Sequence, residues 1–313
     1  MVQYYKNVNR ETVEVVLAAT ANWINVTPPF QEREIDNLSD ALEIPRDFFT
    51  DTLDIEERSR YEQEDDTRLI ILKTPVENNS LNESDAYFIT IPVSIIITER
   101  NQVVTVNSFE NVAIRRFLNT FAKRHPERPN MMVLKIFEKV VMDFMEMLKE
   151  INHRRNILEQ KLYDSNRNEE LLALMRIQKS LVYMVTALRS NELLLMKIRR
   201  TNFLHCDEEE LEYLEDLIVE FSQAKEMADN YTSILSSTLD AYASIINNNM
   251  NIVIKRLTMI TIILSVPAIV AAFFGMNVVF PGENKVEGFY YALILSIGIA
   301  VVMSYVFYRK KWF

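Results

Sequence analysis

Glycine is nearly missing from this chain of 313 residues: there are four, Gly275, Gly282, Gly288 and Gly298, all within the last 40 positions. The preceding part must turn on Pro, Asn and Asp instead. It has no glycine-rich loop to cradle phosphate, so nucleotide-driven pumping has no support and no nucleotide is expected. Cysteine is scarcer still. Cys206 stands alone, which excludes an intramolecular disulfide and agrees with a reducing compartment. Charge is absent from residues 257–282 and again from 288–308. Each stretch exceeds the roughly 20 residues that cross a bilayer as a helix, and two side by side favour membrane spans over a buried soluble pair.

The opening residues, MVQYYKNVNRETVEVV, hold no apolar stretch that could serve as a signal peptide, so the first 250 residues are expected to be cytosolic. Lys255 and Arg256 precede the first span, and Arg309, Lys310 and Lys311 follow the second. The positive-inside rule therefore puts both ends in the cytoplasm and the loop of about 277–287 outside. Residues 251–313 carry six Lys/Arg and two Glu, a net of +4, which leaves −14 of the overall −10 on residues 1–250. So acidic a body argues against nucleic acid and suits a protein that collects cations, although most acidic surfaces are merely solvated.

Residues 12–18, 22–27, 68–73, 87–98 and 102–107 are rich in β-branched and aromatic side chains and predict strands. Residues 32–44 and 110–124 predict helices, with HPERP (125–129) as the break. The period then changes. Leu134, Phe137, Val141, Phe144, Leu148, Ile151, Leu158 and Leu162 recur at helical steps, and after the polar turn at 164–170 so do Leu171, Leu174, Ile177, Leu181, Val185, Leu188 and Leu195. A helical hairpin is expected. A third helix opens at the acids of HCDEEE and meets no Gly or Pro before Pro267. Continuous from about Asp207 to Phe274, it would be a rod of roughly 100 Å joining cytosolic domain to membrane.

The fold class is thus α+β: a cytosolic α/β domain (1–129), a helical hairpin and stalk helix (130–250), and a pore domain with two transmembrane helices (251–313). On the stalk, Asp240, Ser244, Asn247 and Asn251 share a face, and the same steps lead on to Ile254, Leu257, Thr261, Ser265, Ala268 and Ala272. Such a stripe serves either to pack membrane helices or to line water. One helix cannot enclose a pore, so lining water would require several subunits about an axis, for which the stalk's coiled-coil-like seam is suited.

Gly275-Met276-Asn277 after the first of two C-terminal spans, NIVIKRLT (251–258) leading in and the ending RKKWF (309–313) together resemble the CorA family of magnesium channels. The resemblance covers the whole architecture. It implies a homopentamer in the cytoplasmic membrane, with the first span of each subunit lining the pore. Asn277 would form an amide ring at the outer mouth, Asn251 a second at the inner end, and Leu257 a hydrophobic constriction. Neutral amides suit Mg²⁺, which sheds its water reluctantly and can be held through its hydration shell. Gly275 would let the chain leave the helix beside Asn277. Regulation would come from Mg²⁺ bound between subunits, with Asp240 as one ligand and Asp51, in DFFTDTLDIEE, as its partner. No catalytic residue is implied.

Some features depart from the family. Phe274 stands where many relatives have Tyr, and Glu283 and Glu287 of the outer loop are offset by Lys285. These leave open transport of Co²⁺, Ni²⁺ or Zn²⁺ by the same fold, with or without coupling to protons; a non-conducting membrane-anchored sensor is the rival of another class. The absence of Cys and His around the proposed pore argues against zinc. His205-Cys206-Asp207 has metal-binding residue types without ligand spacing and reads as the start of a helix. His125 and His153 are isolated, and EQEDD (62–66) reads as a solvated run.

Overall fold

A computed structural model of the chain describes residues 1–8, 11–16, 18–29, 32–78, 85–109, 114–115, 117, 128–164, 168–276 and 286–310. It divides into two compact units, Met1–Ser236 and Ser237–Phe313. The first is built on a seven-stranded sheet: β1 (Val2–Val8), β2 (Glu11–Val15), β3 (Trp23–Val26), β4 (Arg60–Glu64), β5 (Thr67–Glu77), β6 (Phe88–Ile97) and β7 (Val103–Asn107). Their order is β2-β1-β3-β7-β6-β5-β4, antiparallel throughout except for the parallel pair β3–β7.

Both faces of the central strands are covered. On one lie α1 (Glu32–Leu42) and α2 (Arg46–Thr50), whose Ile35, Leu38, Phe48 and Phe49 join Ile24, Val26, Leu69, Ile71, Ile96, Val104 and Val106 in one apolar cluster. Side chains alternate along a strand, so Ile70 and Leu72, equally buried, face the other way. There α3 (Pro129–Asp164) and α4 (Asn168–Thr201) pack across β5 and β6. Burial of each large apolar side chain contributes about 1.5–3 kcal/mol. The result is a three-layer α/β/α sandwich.

Two prolines inside the sheet, Pro75 and Pro92, occupy positions that cost no ladder bond. Asn78 donates its N–H to the Tyr87 carbonyl at 2.8 Å, so the even-numbered residues of β5 bond to β6 and the odd-numbered ones point away. Pro75 is therefore turned from β6. Pro92 is turned toward β7, one residue past the last β6–β7 pair, Val93↔Asn107. Lys73 also points outward, beyond the end of β4 at Arg60, and the buried Asn191 of α4 takes the place of the missing strand. Its Nδ2 donates to the Lys73 carbonyl at 2.8 Å, and its Oδ1 accepts from the Lys73 N–H at 3.0 Å and the Ser59 hydroxyl at 2.8 Å.

The long helix α5 (Glu208–Phe274) starts on a capping box: the Glu210 N–H donates to Asp207 Oδ1 at 2.9 Å, and the Asp207 N–H to Glu210 Oε2 at 3.2 Å. Asn202 and His205, both with positive φ, turn the chain out of α4 before it. Within the first unit, Leu214, Leu217, Phe221, Ala224, Ala228 and Leu235 of α5 are buried, and Phe221 meets Phe137 of α3 edge to face at 6.1 Å. The second unit holds the remainder of α5 and α6 (Val286–Arg309). The helix expected over 110–124 falls largely outside the described residues, of which Ile114, Arg115 and Phe117 are helical.

Candidate functional site

Among the described residues, three helices are long and apolar enough to cross a membrane: α4, α5 and α6. Burial separates them. The most apolar stretch of α4 is 39% buried, against 11% for α5 and 6% for α6. Leu174, Ile177, Leu181, Leu188 and Leu195 spend the apolar face of α4 on the core. The C-terminal helices leave theirs open.

In α5 the buried positions are Met259 (3% exposed) and Val270 (9%), with Ile263 and Val266 half-buried between them. In α6 they are Ser296 (7%), flanked by half-buried Ala292, Ala300, Met303 and Phe307. Each set falls on one helix face, and among the described residues of this unit only the other helix is there to cover it. The α6 set includes the small residues Ala292, Ser296 and Ala300, of the kind that lets helices approach in lipid. Asn251, Ile254, Leu257, Thr261, Ser265, Ala268 and Ala272 are all exposed, Leu257 at 63%. At 100° per residue their mean direction lies about 160° from the buried stripe. The two faces are nearly opposite.

The hydroxyls along α5 are bonded within the helix. Thr258 donates to the Ile254 carbonyl at 2.9 Å, Thr261 to Leu257 at 2.9 Å and Ser265 to Ile262 at 2.8 Å. Their hydrogens are satisfied in an apolar environment, and their oxygen lone pairs remain free to accept. Ser265 sits two residues before Pro267, where the ladder loses an N–H donor.

At the end of α5, Gly275 donates its N–H to the Ala271 carbonyl at 2.9 Å, and Met276 to Phe273 at 3.3 Å. Gly275 thus lies where the sequence reading put the end of the helix, but its φ is outside the left-handed range. A Cβ there would stand 3.2 Å from the Ala271 carbonyl oxygen, so close approach, and no positive φ, distinguishes the position. Asn277 lies outside the described residues.

Asp240 is exposed on α5, in the second unit. Asp51, in the first, opens a short 3₁₀ turn after α2 and accepts a 2.6 Å bond from Arg60 Nη2. Burial pushes its carboxyl above the usual range, Arg60 opposes the shift, and Glu57, Asp47 and Glu62 add to it. Its oxygen donors are of the kind a hard divalent cation takes. The described residues contain no group of three or more His, Cys, Asp or Glu side chains arranged around a metal. Burial raises the Cys206 thiol to about 11, so it is a protonated, poor ligand beside the helix cap. Sequence reasoning missed Arg60, whose role depends on the turn that brings it against Asp51.

The CorA-like Mg²⁺ transporter protein family model matches residues 18–310. The cobalt/magnesium transport protein CorA of Methanocaldococcus jannaschii is 28% identical over 296 residues, covering 93% of this chain and 90% of that protein. The cobalt/magnesium transport protein CorA of Thermotoga maritima is 23% identical over 321 residues, covering 99% and 90%. In three dimensions, the complete structure of the CorA magnesium transporter from M. jannaschii superposes with a TM-score of 0.86 at 25% identity, covering 100% of this chain and 99% of that one. The match takes in the sandwich, the hairpin, the long helix and both apolar helices, and the chain belongs to the CorA-like Mg²⁺ transporter family.

Proposed function

We propose that this chain is the subunit of a homopentameric channel for passive Mg²⁺ uptake across the cytoplasmic membrane, with α5 and α6 as its two spans and both termini in the cytoplasm. The observation that carries this reading is the exposed stripe from Asn251 to Ala272, uncharged and turned from α6. Five copies would close that face around an axis. Its acceptor oxygens would meet the waters of the hydrated ion, and Leu257 would close the inner end by dewetting. Asn277, with Gly275 and Met276, would form the outer filter. A divalent ion descending 100 mV releases about 4.6 kcal/mol, from about 2.3 per elementary charge, so no further energy source is required.

Regulation follows from the carboxylates. Mg²⁺ held by Asp51 and Asp240 across a subunit boundary would keep the pore shut while the ion is plentiful. Its loss would leave like charges facing one another and loosen the assembly. A second cargo, Co²⁺, is favoured by the description of both quoted relatives as cobalt/magnesium transport proteins.

The test is Mg²⁺ uptake into proteoliposomes under an inside-negative potential, with Co²⁺, Ni²⁺ and Zn²⁺ as competitors. Wild type should conduct and Asn277→Ala should lose most of its flux. Equal flux in both would remove Asn277 from the filter, and no flux from wild type would favour the membrane-anchored sensor.

A further inference from the structure

The carboxylate cluster around Asp51 carries a cation of its own. Arg60, at the start of β4 and paired with Ile71 of β5, directs three donors at three acids. Nη2 donates to Asp51 Oδ2 at 2.6 Å, Nε to Glu57 Oε1 at 3.0 Å, and Nη1 to Glu62 Oε2. Asp51 is fixed from the other side, since its carbonyl accepts the Asp54 N–H at 3.2 Å. Both side chains are largely withdrawn from water, Arg60 35% and Asp51 28% exposed. A guanidinium presents its donors in a rigid planar fork suited to several carboxylates at once.

We propose that Arg60 is a tethered competitor for the divalent cation at Asp51, holding the carboxylate in the ion-free subunit and releasing it only when Mg²⁺ displaces the guanidinium. The inference rests on the reading of Asp51 as a regulatory ligand. A guanidinium 2.6 Å from Asp51 Oδ2 and a magnesium ion on the same carboxylate are two cations at close quarters, and their mutual repulsion sets the two ways of holding Asp51 in competition. Asp51 feels Glu57, Asp47 and Glu62 as repelling neighbours against this single arginine, so acid outnumbers base there and a divalent ion still gains by entering. The ion must work against the Asp51 bond of a guanidinium that Glu57 and Glu62 also hold in place. Arg60 therefore raises the Mg²⁺ concentration at which the regulatory site fills, and when the ion departs it returns to the cluster.

The test uses the full chain in detergent. Chymotryptic cleavage of the cytosolic domain is followed as Mg²⁺ is added, for wild type, Arg60→Gln, Arg60→Lys and Asp51→Asn; chymotrypsin avoids cutting at Arg60 itself. Arg60→Gln should lower the half-protecting Mg²⁺ concentration roughly three- to tenfold, the scale of a few partly exposed ion pairs. Arg60→Lys, which keeps the charge and loses the fork, should fall between. An unmoved half-point in Arg60→Gln, with a raised one in Asp51→Asn, overturns the competition and leaves the reading of Asp51 standing. A raised half-point in Arg60→Gln overturns it too, because Arg60 then positions the ligands. Protection indifferent to Asp51→Asn removes Asp51 as a ligand, and the competition with it. Should Arg60→Gln melt early without Mg²⁺, Arg60→Lys decides: a lowered half-point supports the competition and an unmoved one overturns it.

Discussion

Replacing Asn191 by Ala tests the join between the helical hairpin and the sheet. The side chain is fully buried, and its carboxamide completes the ladder where β4 has ended, serving the Lys73 N–H, the Lys73 carbonyl and the Ser59 hydroxyl. Alanine reaches none of them. An unpaired buried polar group costs about 1–3 kcal/mol. Lys73 and Ser59 are half-buried, so water can relieve part of that cost. The two backbone groups should then contribute about 1 kcal/mol each, and the vacated volume should bring the loss to about 2–4 kcal/mol. With a urea slope of about 2 kcal/mol/M, the midpoint falls by about 1–2 M. The fluorescence of Trp23, which lies in β3 of the same sheet, reports the transition, and amide exchange over residues 68–75 should rise at Lys73. Asn191→Asp is the sharper control. It keeps an acceptor for the Lys73 N–H but sets oxygen against the Lys73 carbonyl, so it should be no better than alanine. If both variants lose less than about 0.5 kcal/mol and exchange at Lys73 is unchanged, Asn191 is not standing in for a strand.

Two further outcomes follow from single residues. Glu220 is held above the usual carboxyl range, first by burial and then by Glu138 and Asp216, against the lowering effect of Lys135. Its folded pKa exceeds the unfolded one, so the native state resists losing the proton and stability declines as pH rises between the two. Glu220→Gln should therefore raise the melting temperature at pH 7, with the gain vanishing below about pH 4, where both states are protonated; a gain that persists in acid would refute this. Gly275→Ala should change stability by no more than about 1 kcal/mol, because φ is not left-handed and the new Cβ asks only a small shift of the Ala271 carbonyl. A fall of several kcal/mol in a detergent melt would show that this glycine needs a conformation closed to alanine.

How far the sequence could be read depends on which elements carry a pattern. The hairpin helices repeat apolar residues every three or four positions over more than 30 residues, and the positions picked out, such as Phe137, Phe144, Ile177 and Leu188, are buried. The strand β4 carries no such signal. It reads RYEQE, a charged edge strand, and charge is what keeps an edge from pairing with other chains, so it passes for a solvated run. In β5, the expected strand stops at Lys73, but the real one continues through Pro75 to Glu77, since that proline faces away from β6. Five residues are too few for α2 to show a period, although Phe48 and Phe49 are fully buried. The stripe on α5 was legible because helical steps alone determine which residues share a face. Asn191 and Arg60 were not: each is one polar residue whose partner is distant in sequence or reached only through a turn, and no local pattern marks it.

That stripe also bears on why an uncharged face suits a divalent ion. A carboxylate in a path of this kind would hold Mg²⁺, and conduction requires release as well as capture. A hydroxyl with a mobile proton could turn either end toward the ion's waters. Thr261 and Ser265 have no such choice, because their protons are committed to the carbonyls of Leu257 and Ile262. What remains is oxygen lone pairs, complementary to hydration waters that donate outward. Along the face, Asn251 stands at the end with the basic pair Lys255-Arg256, followed by apolar Ile254 and Leu257, the hydroxyls of Thr261 and Ser265, and then Ala268 and Ala272. Asp240 stands 17 residues before Leu257 on the same uninterrupted helix, about 25 Å along the axis and about 100° around it. With no Gly or Pro between them, α5 has no built-in hinge that would absorb a displacement at Asp240 before it reaches Leu257. Under the proposed function, an ion leaving the carboxylates need only change the tilt or rotation of α5 to move Leu257 off the axis and rewet the path beyond it.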